Sequence, residues 1–244
     1  MSKVVSLRPD QPPTGYRVVA RAASRAEIYL YGVIGRSLFE DGVSARRFAD
    51  DLKALGNVNA IDVRINSDGG SVFEGRSMFS MLNQHPARIV VHVDGVAASI
   101  ASLIAMAGDE IRMADGAFLM IHNSSALHVG DANEMRRMAD LLEAVDSTLK
   151  TTYAARSRQP LATIAKWMAA ETWMNAAEAV DRGFADSVVE GLRVAAQLHH
   201  RERFRNLPGV LQRAPVADPT RPNRARAEAL IARMRRRPNG PIGA

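Results

Sequence analysis

The 244-residue chain contains no cysteine. That absence excludes disulfides, thiolate metal sites and a cysteine nucleophile, and leaves hydroxyls as the candidates for covalent catalysis. No Gly-x-Gly-x-x-Gly and no Gly-Lys-Ser/Thr occurs, so neither a dinucleotide nor a Walker fingerprint is present. No internal repeat appears. Long apolar runs are also missing. The longest, residues 96–107, is too short to span a bilayer. Residues 1–13 lack the apolar core of a signal peptide and are interrupted by Pro12-Pro13. The expectation is a soluble, cytoplasmic protein that does not engage a membrane. The histidines show no metal-ligand spacing, so no metal and no cofactor is expected.

What is present is charge, unevenly placed. The formal net charge of +6 and a pI near 10.1 point by default to a nucleic-acid or anionic partner. Residues 191–244, however, hold 12 arginines and no lysine against three acids, together with six of the 11 prolines and a single aromatic, Phe204. Residues 1–190 hold 20 basic and 23 acidic groups. A slightly acidic body therefore carries a basic tail, and any attraction to nucleic acid or an acidic surface belongs to the tail. The tail has little apolar surface to offset its ordering entropy and is expected to be largely disordered, apart from a short basic helix over 224–237. Three segments follow: 1–26 N-terminal, 27–190 body and 191–244 tail.

Within the body, β-branched and apolar runs predict strands at 28–34, 60–65, 88–93, 111–113 and 117–121. Helical spacing predicts helices at 43–55, 72–82, 97–107, 161–168 and 176–182. A long amphipathic helix is expected over 131–156, with Met135, Met138, Leu142, Val145, Leu149 and Tyr153 as its stripe. Strands alternating with helices imply an α/β fold with a largely parallel sheet.

Three features bear on chemistry. Ser99 follows an apolar strand and a predicted turn at Asp94-Gly95, at the opening of a small-residue helix, where unpaired N–H groups favour an oxyanion. His122 ends the apolar run Phe118-Leu119-Met120-Ile121, and its ordinary pKa suits a general base. Asn66-Ser67-Asp68-Gly69-Gly70 follows a strand, and paired glycines there allow a sharp turn that presents N–H groups. Taken singly, each has a structural reading, and for Ser99 and His122 it is the favoured one: a packed serine, a histidine satisfied by backbone, an ordinary turn.

Together, in this order, they resemble the proteolytic subunit of the Clp protease (ClpP). Asn66-Ser67-Asp68-Gly69-Gly70 matches that family's Asn-Ser-Pro-Gly-Gly loop with Asp68 in place of proline. Gly95-Val96-Ala97-Ala98-Ser99 matches Gly-x-Ala-Ala-Ser, Met120-Ile121-His122 matches Met-Ile-His, and residues 176–186 match a further family segment. The resemblance covers about residues 27–189 and implies a ClpP/crotonase-like α/β fold of repeated ββα units with a protruding handle helix. It implies Ser99 as nucleophile, His122 as base, and Glu171 as third member where the family has aspartate. It further implies an oxyanion hole from the backbone N–H groups of Gly70 and Ile100, and substrate contacts at Gly69, Ser71, Met120 and Asn123. A protein or peptide substrate and a homo-oligomer, with heptameric rings in the family, are implied as well. A Clp ATPase partner is left open.

The Glu-Thr-Trp segment, Asp68 and the appended tail resemble the ClpP-related head maturation proteases of tailed phages and prophages. Those enzymes cleave scaffold and capsid protein inside the procapsid, in bacterial or host cytoplasm. A cellular ClpP paralogue and a non-catalytic scaffolding protein stand as alternatives. The signal-peptide-peptidase group needs a Ser-Lys pair, and none of Lys3, Lys53, Lys150 and Lys166 lies at such a base position. The crotonase group would not need Ser99 and His122 in register.

Overall fold

The computed structural model describes residues 15–21, 24–35, 42–190, 198 and 200–212. In chain order the elements are β1 (Tyr16–Arg21), β2 (Arg25–Tyr31), α1 (Ala45–Ala54), β3 (Ala60–Ser67), α2 (Val72–Asn83), β4 (Arg88–Ala98), α3 (Ile100–Ala105) and β5 (Glu110–Ala114). They continue with β6 (Phe118–Ile121), α4 (Ala132–Ser157), α5 (Leu161–Ala169), β7 (Thr172–Asn175), α6 (Ala176–Asp181), β8 (Ser187–Val189), a 3-10 turn (Arg201–Arg203) and α7 (Gly209–Gln212).

The sheet runs β1-β2-β3-β4-β5-β8, with β1 antiparallel to β2 and the remaining neighbours parallel. One face of its central strands is apolar and covered by helices, with Ile61, Val63, Val91 and Val93 fully buried, whereas the other face carries the half-buried polar residues Asp62, Arg64 and His92. Phe48 of α1, Met78 and Leu82 of α2, and Leu103 and Ile104 of α3 complete this core. Gly75 lets α2 lie on α3, since a Cβ there would stand 2.3 Å from Ile100 Cγ1. That contact fixes where α3 begins.

β4 forks. Val90 to Val93 pair with β5, whereas Val96 to Ala98 pair with β6, which in turn pairs antiparallel with β7. The turn expected at Asp94-Gly95 is therefore absent, the strand runs on to Ala98, and the helix expected from residue 97 starts at Ile100. The reason is polar pairing at the fork. The Asp94 carboxylate, almost fully buried, accepts Tyr31 Oη at 2.6 Å and Arg64 Nε at 2.9 Å, with a second bond from Arg64 Nη2. Asn66 Oδ1 accepts the Val96 N–H at 3.1 Å where the β3–β4 register shifts. Burial and the bond to Asp94 push the Tyr31 hydroxyl pKa upward.

The helices expected from periodicity are present, although the stripe of α4 is only half used. Asp131 and Glu134 form a capping box, and the 26-residue helix is about 39 Å long. Leu149 and Tyr153 are buried, while Met135 and Leu141 are exposed, so its first turns project from the body.

The segment boundaries differ from expectation at both ends. β1 pairs with β2 along its whole length, so the sheet begins at Tyr16 rather than near residue 27. Leu198 and residues 200–212, here termed the C-terminal arm, pack on the body instead of lying free of it. Their few apolar side chains, Leu198, Phe204, Leu207 and Leu211, meet the face of the forked sheet formed by Val96, Ala98, Phe118, Met120 and Trp173. The helix expected over 224–237 lies outside the described residues. Among the described residues no helix is long and apolar enough to cross a membrane.

Asp94→Ala should lower unfolding stability by about 3 kcal/mol, because it strands Arg64 and the Tyr31 hydroxyl without their acceptor. Urea unfolding measures this, and a loss below about 1 kcal/mol would mean that the pair is effectively solvated.

Candidate active site

Ser99 occupies the junction of β4 and α3 with φ 55° and ψ −127°. A non-glycine residue held in this region is strained by about 1–3 kcal/mol and persists only where its surroundings hold it. They do so on both sides. The Ser99 N–H donates to Met120 O of β6 at 3.0 Å. Its carbonyl accepts the Ser102 N–H at 3.0 Å, Ser102 Oγ at 2.6 Å and Tyr153 Oη at 3.4 Å. The Tyr153 hydroxyl also meets Ser102 Oγ at 2.8 Å, and burial raises its pKa. The resulting turn is a strand-to-helix elbow of the kind that lifts a serine hydroxyl clear of its sheet.

His122 follows the last residue of β6. Its Nε2 lies 2.7 Å from Ser99 Oγ. Two residues on, the Asp146 carboxylate of α4 accepts both the Ser124 N–H and Ser124 Oγ at 2.7 Å, which anchors the chain leaving the histidine. Burial is the largest influence on the imidazole and holds its pKa below the ordinary value. Glu171 and Asp146 pull it upward and Arg205 pushes it further down. The neutral ring is thereby favoured, which is the form a general base needs.

The glycine loop lies directly against the serine. A Cβ on Gly69 (φ 97°) would stand 2.8 Å from both Ala98 O and Ser99 Cβ. Gly70 bridges Ile34, and a Cβ there would come 2.0 Å from the Ile34 carbonyl oxygen. Only glycine fits either position. Ser67 Oγ accepts the Gly69 N–H at 3.1 Å and shapes the turn from within. Ile100 is the first residue of α3, so its N–H has no partner inside the helix.

Ser71 caps α2 by accepting the Glu74 N–H at 3.5 Å. Met120 is fully buried in the cluster that includes Leu198 and Leu211, so what it offers Ser99 is its carbonyl oxygen. Asn123 is exposed, with its N–H on Met168 O.

Glu171 sits before β7 with φ 48° and is only 3% exposed. Its Oε1 accepts the Asn206 N–H at 2.7 Å and Trp173 Nε1 at 3.5 Å. Among the described residues no hydrogen bond joins Glu171 to His122, although its charge acts on the ring. Sequence reasoning missed Ser102, Tyr153, Asp146 and the arm. Tyr153 was visible only as part of an apolar stripe, and Phe204 only as the tail's single aromatic.

The model of the Clp protease family matches residues 12–191. The proteolytic subunit of an ATP-dependent Clp protease from Leuconostoc citreum is 32% identical over 142 residues, which cover 57% of this chain and 71% of that protein. Proteolytic subunit 3 from Rhodococcus jostii is 30% identical over 154 residues, covering 61% and 76%. Subunit 1 from a Synechococcus strain is 30% identical over 134 residues, covering 54% and 68%. With the glycine loop packed on Ser99 and His122 in hydrogen-bond contact with it, and the family match spanning most of the sequence, the chain belongs to the Clp protease family.

Proposed function

We propose that the protein is a serine endopeptidase working through Ser99, His122 and Glu171. The observation that carries this reading is the 2.7 Å contact between His122 Nε2 and the hydroxyl of a serine held in a left-handed turn. Ser99 Oγ attacks the scissile carbonyl while His122 Nε2 takes its proton. The oxyanion forms against the N–H groups of Gly70 and Ile100, each donor being worth about 10²–10³ in rate. His122 then protonates the leaving amine. Water, activated by the same ring, hydrolyses the acyl-enzyme. Glu171 steadies the imidazolium through its charge. Gly69 lies against Ser99, Met120 holds the Ser99 N–H through its carbonyl, Ser71 caps α2, and the exposed Asn123 next to His122 is taken as a substrate contact.

For the substrate we favour phage scaffold or capsid protein during head maturation. Support comes from Asp68, from the Glu171-Thr172-Trp173 segment and from the arginine-rich residues beyond the body. The named relatives, proteolytic subunits of ATP-dependent proteases, favour a second reading as a cellular paralogue in general proteolysis. An ATPase-driven stimulation of cleavage would select that reading. Exposed Leu127, Val129, Met135 and Leu141 on and before α4 support self-association through this projection, in a homo-oligomer.

Purified protein should hydrolyse casein or its scaffold and take up a fluorophosphonate on Ser99. Ser99→Ala should abolish the label and lower hydrolysis by about 10⁴-fold or more. Equal cleavage by both proteins would refute the reading. Because the base must be neutral and its pKa is depressed, activity should persist to lower pH than for an ordinary imidazole. The acid limb of kcat/KM should therefore lie below about 6.5. A limb above that value would show that His122 is not desolvated in the working enzyme.

A further inference from the structure

The family match ends at residue 191, so the C-terminal arm lies beyond it. The arm nevertheless crosses the candidate site from one end to the other. The His200 N–H donates to Asp68 Oδ2 at 2.8 Å, beside the glycine loop. The Phe204 ring stands 6.5 Å from the His122 ring, centroid to centroid, and 5.1 Å from Trp173 in an edge-to-face arrangement. The Asn206 N–H donates to Glu171 Oε1 at 2.7 Å, and Asn206 Nδ2 donates to Ala170 O at 2.7 Å. Leu198 and Leu211 anchor both ends of the arm in the cluster with Val96, Ala98 and Met120. Asp68 and Glu171 are the two motif positions at which this sequence departs from the family pattern, and both accept a backbone N–H from the arm.

Two readings of this contact differ in sign: a brake laid over the site, or a working part of it. The geometry favours the second. The contact between His122 and Ser99 is intact with the arm in place. Among the described residues no hydrogen bond joins the arm to Ser99, Gly70 or Asn123. The arm's bonds go instead to Asp68, beside the glycine loop, and to Glu171 and Ala170 ahead of β7. A glutamate also carries one more rotatable bond than an aspartate, so its carboxylate needs a further restraint to act on one imidazole. A charge-assisted N–H bond to one oxygen supplies that restraint and leaves the other oxygen available.

We propose that the arm completes the active site: the Asn206 N–H fixes the Glu171 carboxylate and Phe204 shields the His122 ring from bulk solvent on the arm's side, which makes Asn206 and Phe204 positioning residues for the peptidase reaction. This inference rests on the serine-peptidase reading above. The groups facing His122 are Glu171 ahead of β7, Asp146 on α4 and Arg205 on the arm. Displacing Phe204 would hydrate the ring, and moving Arg205 away would act in the same direction. Both raise the pKa of the base.

The test measures the rate of fluorophosphonate labelling at Ser99 in the full chain. Asn206→Pro removes the N–H and should slow labelling by about tenfold or more. Asn206→Ala keeps the donor and should slow it by less than about threefold, which separates the lost N–H from the lost side chain. In a Glu171→Ala background, Asn206→Pro should add less than about twofold, because its partner is already gone. A purely structural defect would cost the same in either background. Phe204→Ala should move the acid limb of the labelling profile to higher pH. A labelled parent chain whose rate and profile are indifferent to Asn206→Pro and Phe204→Ala would overturn this inference alone. Faster labelling in those variants would also overturn it and make the arm a brake. A parent chain that takes no label would overturn the peptidase reading, and this inference with it.

Discussion

The Ser99 peptide is turned into a left-handed conformation between a strand and a helix, and four separate parts of the chain hold it there. Met120 on β6 takes its N–H. Ser102 on α3 and Tyr153 on α4 take its carbonyl. Gly69, just past the end of β3, lies so close that a Cβ there would stand 2.8 Å from the Ser99 Cβ. Each anchor depends on a larger arrangement: the fork of β4 brings β6 alongside, α4 must lie against α3 for Tyr153 to reach, and the glycine loop must close on Ile34. The elbow is therefore where sheet and helices converge. Because β6 supplies the carbonyl for Ser99 and then delivers His122, one strand sets both the height of the Ser99 hydroxyl and the place of the His122 ring.

Electrostatics acts at two depths. At the fork, Asp94 is satisfied by Arg64 and Tyr31, so a carboxylate that would otherwise be costly to bury ties β2, β3 and β4 together where β4 changes partners. At the site, His122 is half-buried beside two carboxylates and an arginine, and desolvation outweighs their attraction. The fork maintains shape and the site maintains a protonation state. The same cost of burying charge governs both: the Asp94 carboxylate is kept by its partners, whereas the His122 ring is held towards its neutral form.

Much of this was legible in the residues. Ser99, His122 and the glycine loop were identifiable because each needs a particular residue type at a particular place along a strand–helix pattern. Helices with clear spacing or caps, such as α2 and α4, followed from periodicity. β1, β7 and β8 did not, since their short segments lack the continuous apolar run that marks the comparably short β6. Asp94-Gly95 read as a turn because local preference favours one there. A half-buried arginine 30 positions away, bonded to Asp94, overrides that preference.

The sequence by itself determined that no cysteine could serve as a nucleophile, which serine had a histidine in register, and that the basic charge lies beyond the body. These properties belong to residue identity and order. Only the tertiary structure decided that Tyr153 and Ser102 hold the elbow, that Asp146 anchors the chain behind His122, and that the arm reaches Asp68, His122 and Glu171. Composition marks residues 191–244 as too polar to fold alone. It carries no information about an apolar sheet face that four of their side chains can cover. Contacts of that kind join positions 35 to 132 residues apart, and their energy exists only once the sheet has formed.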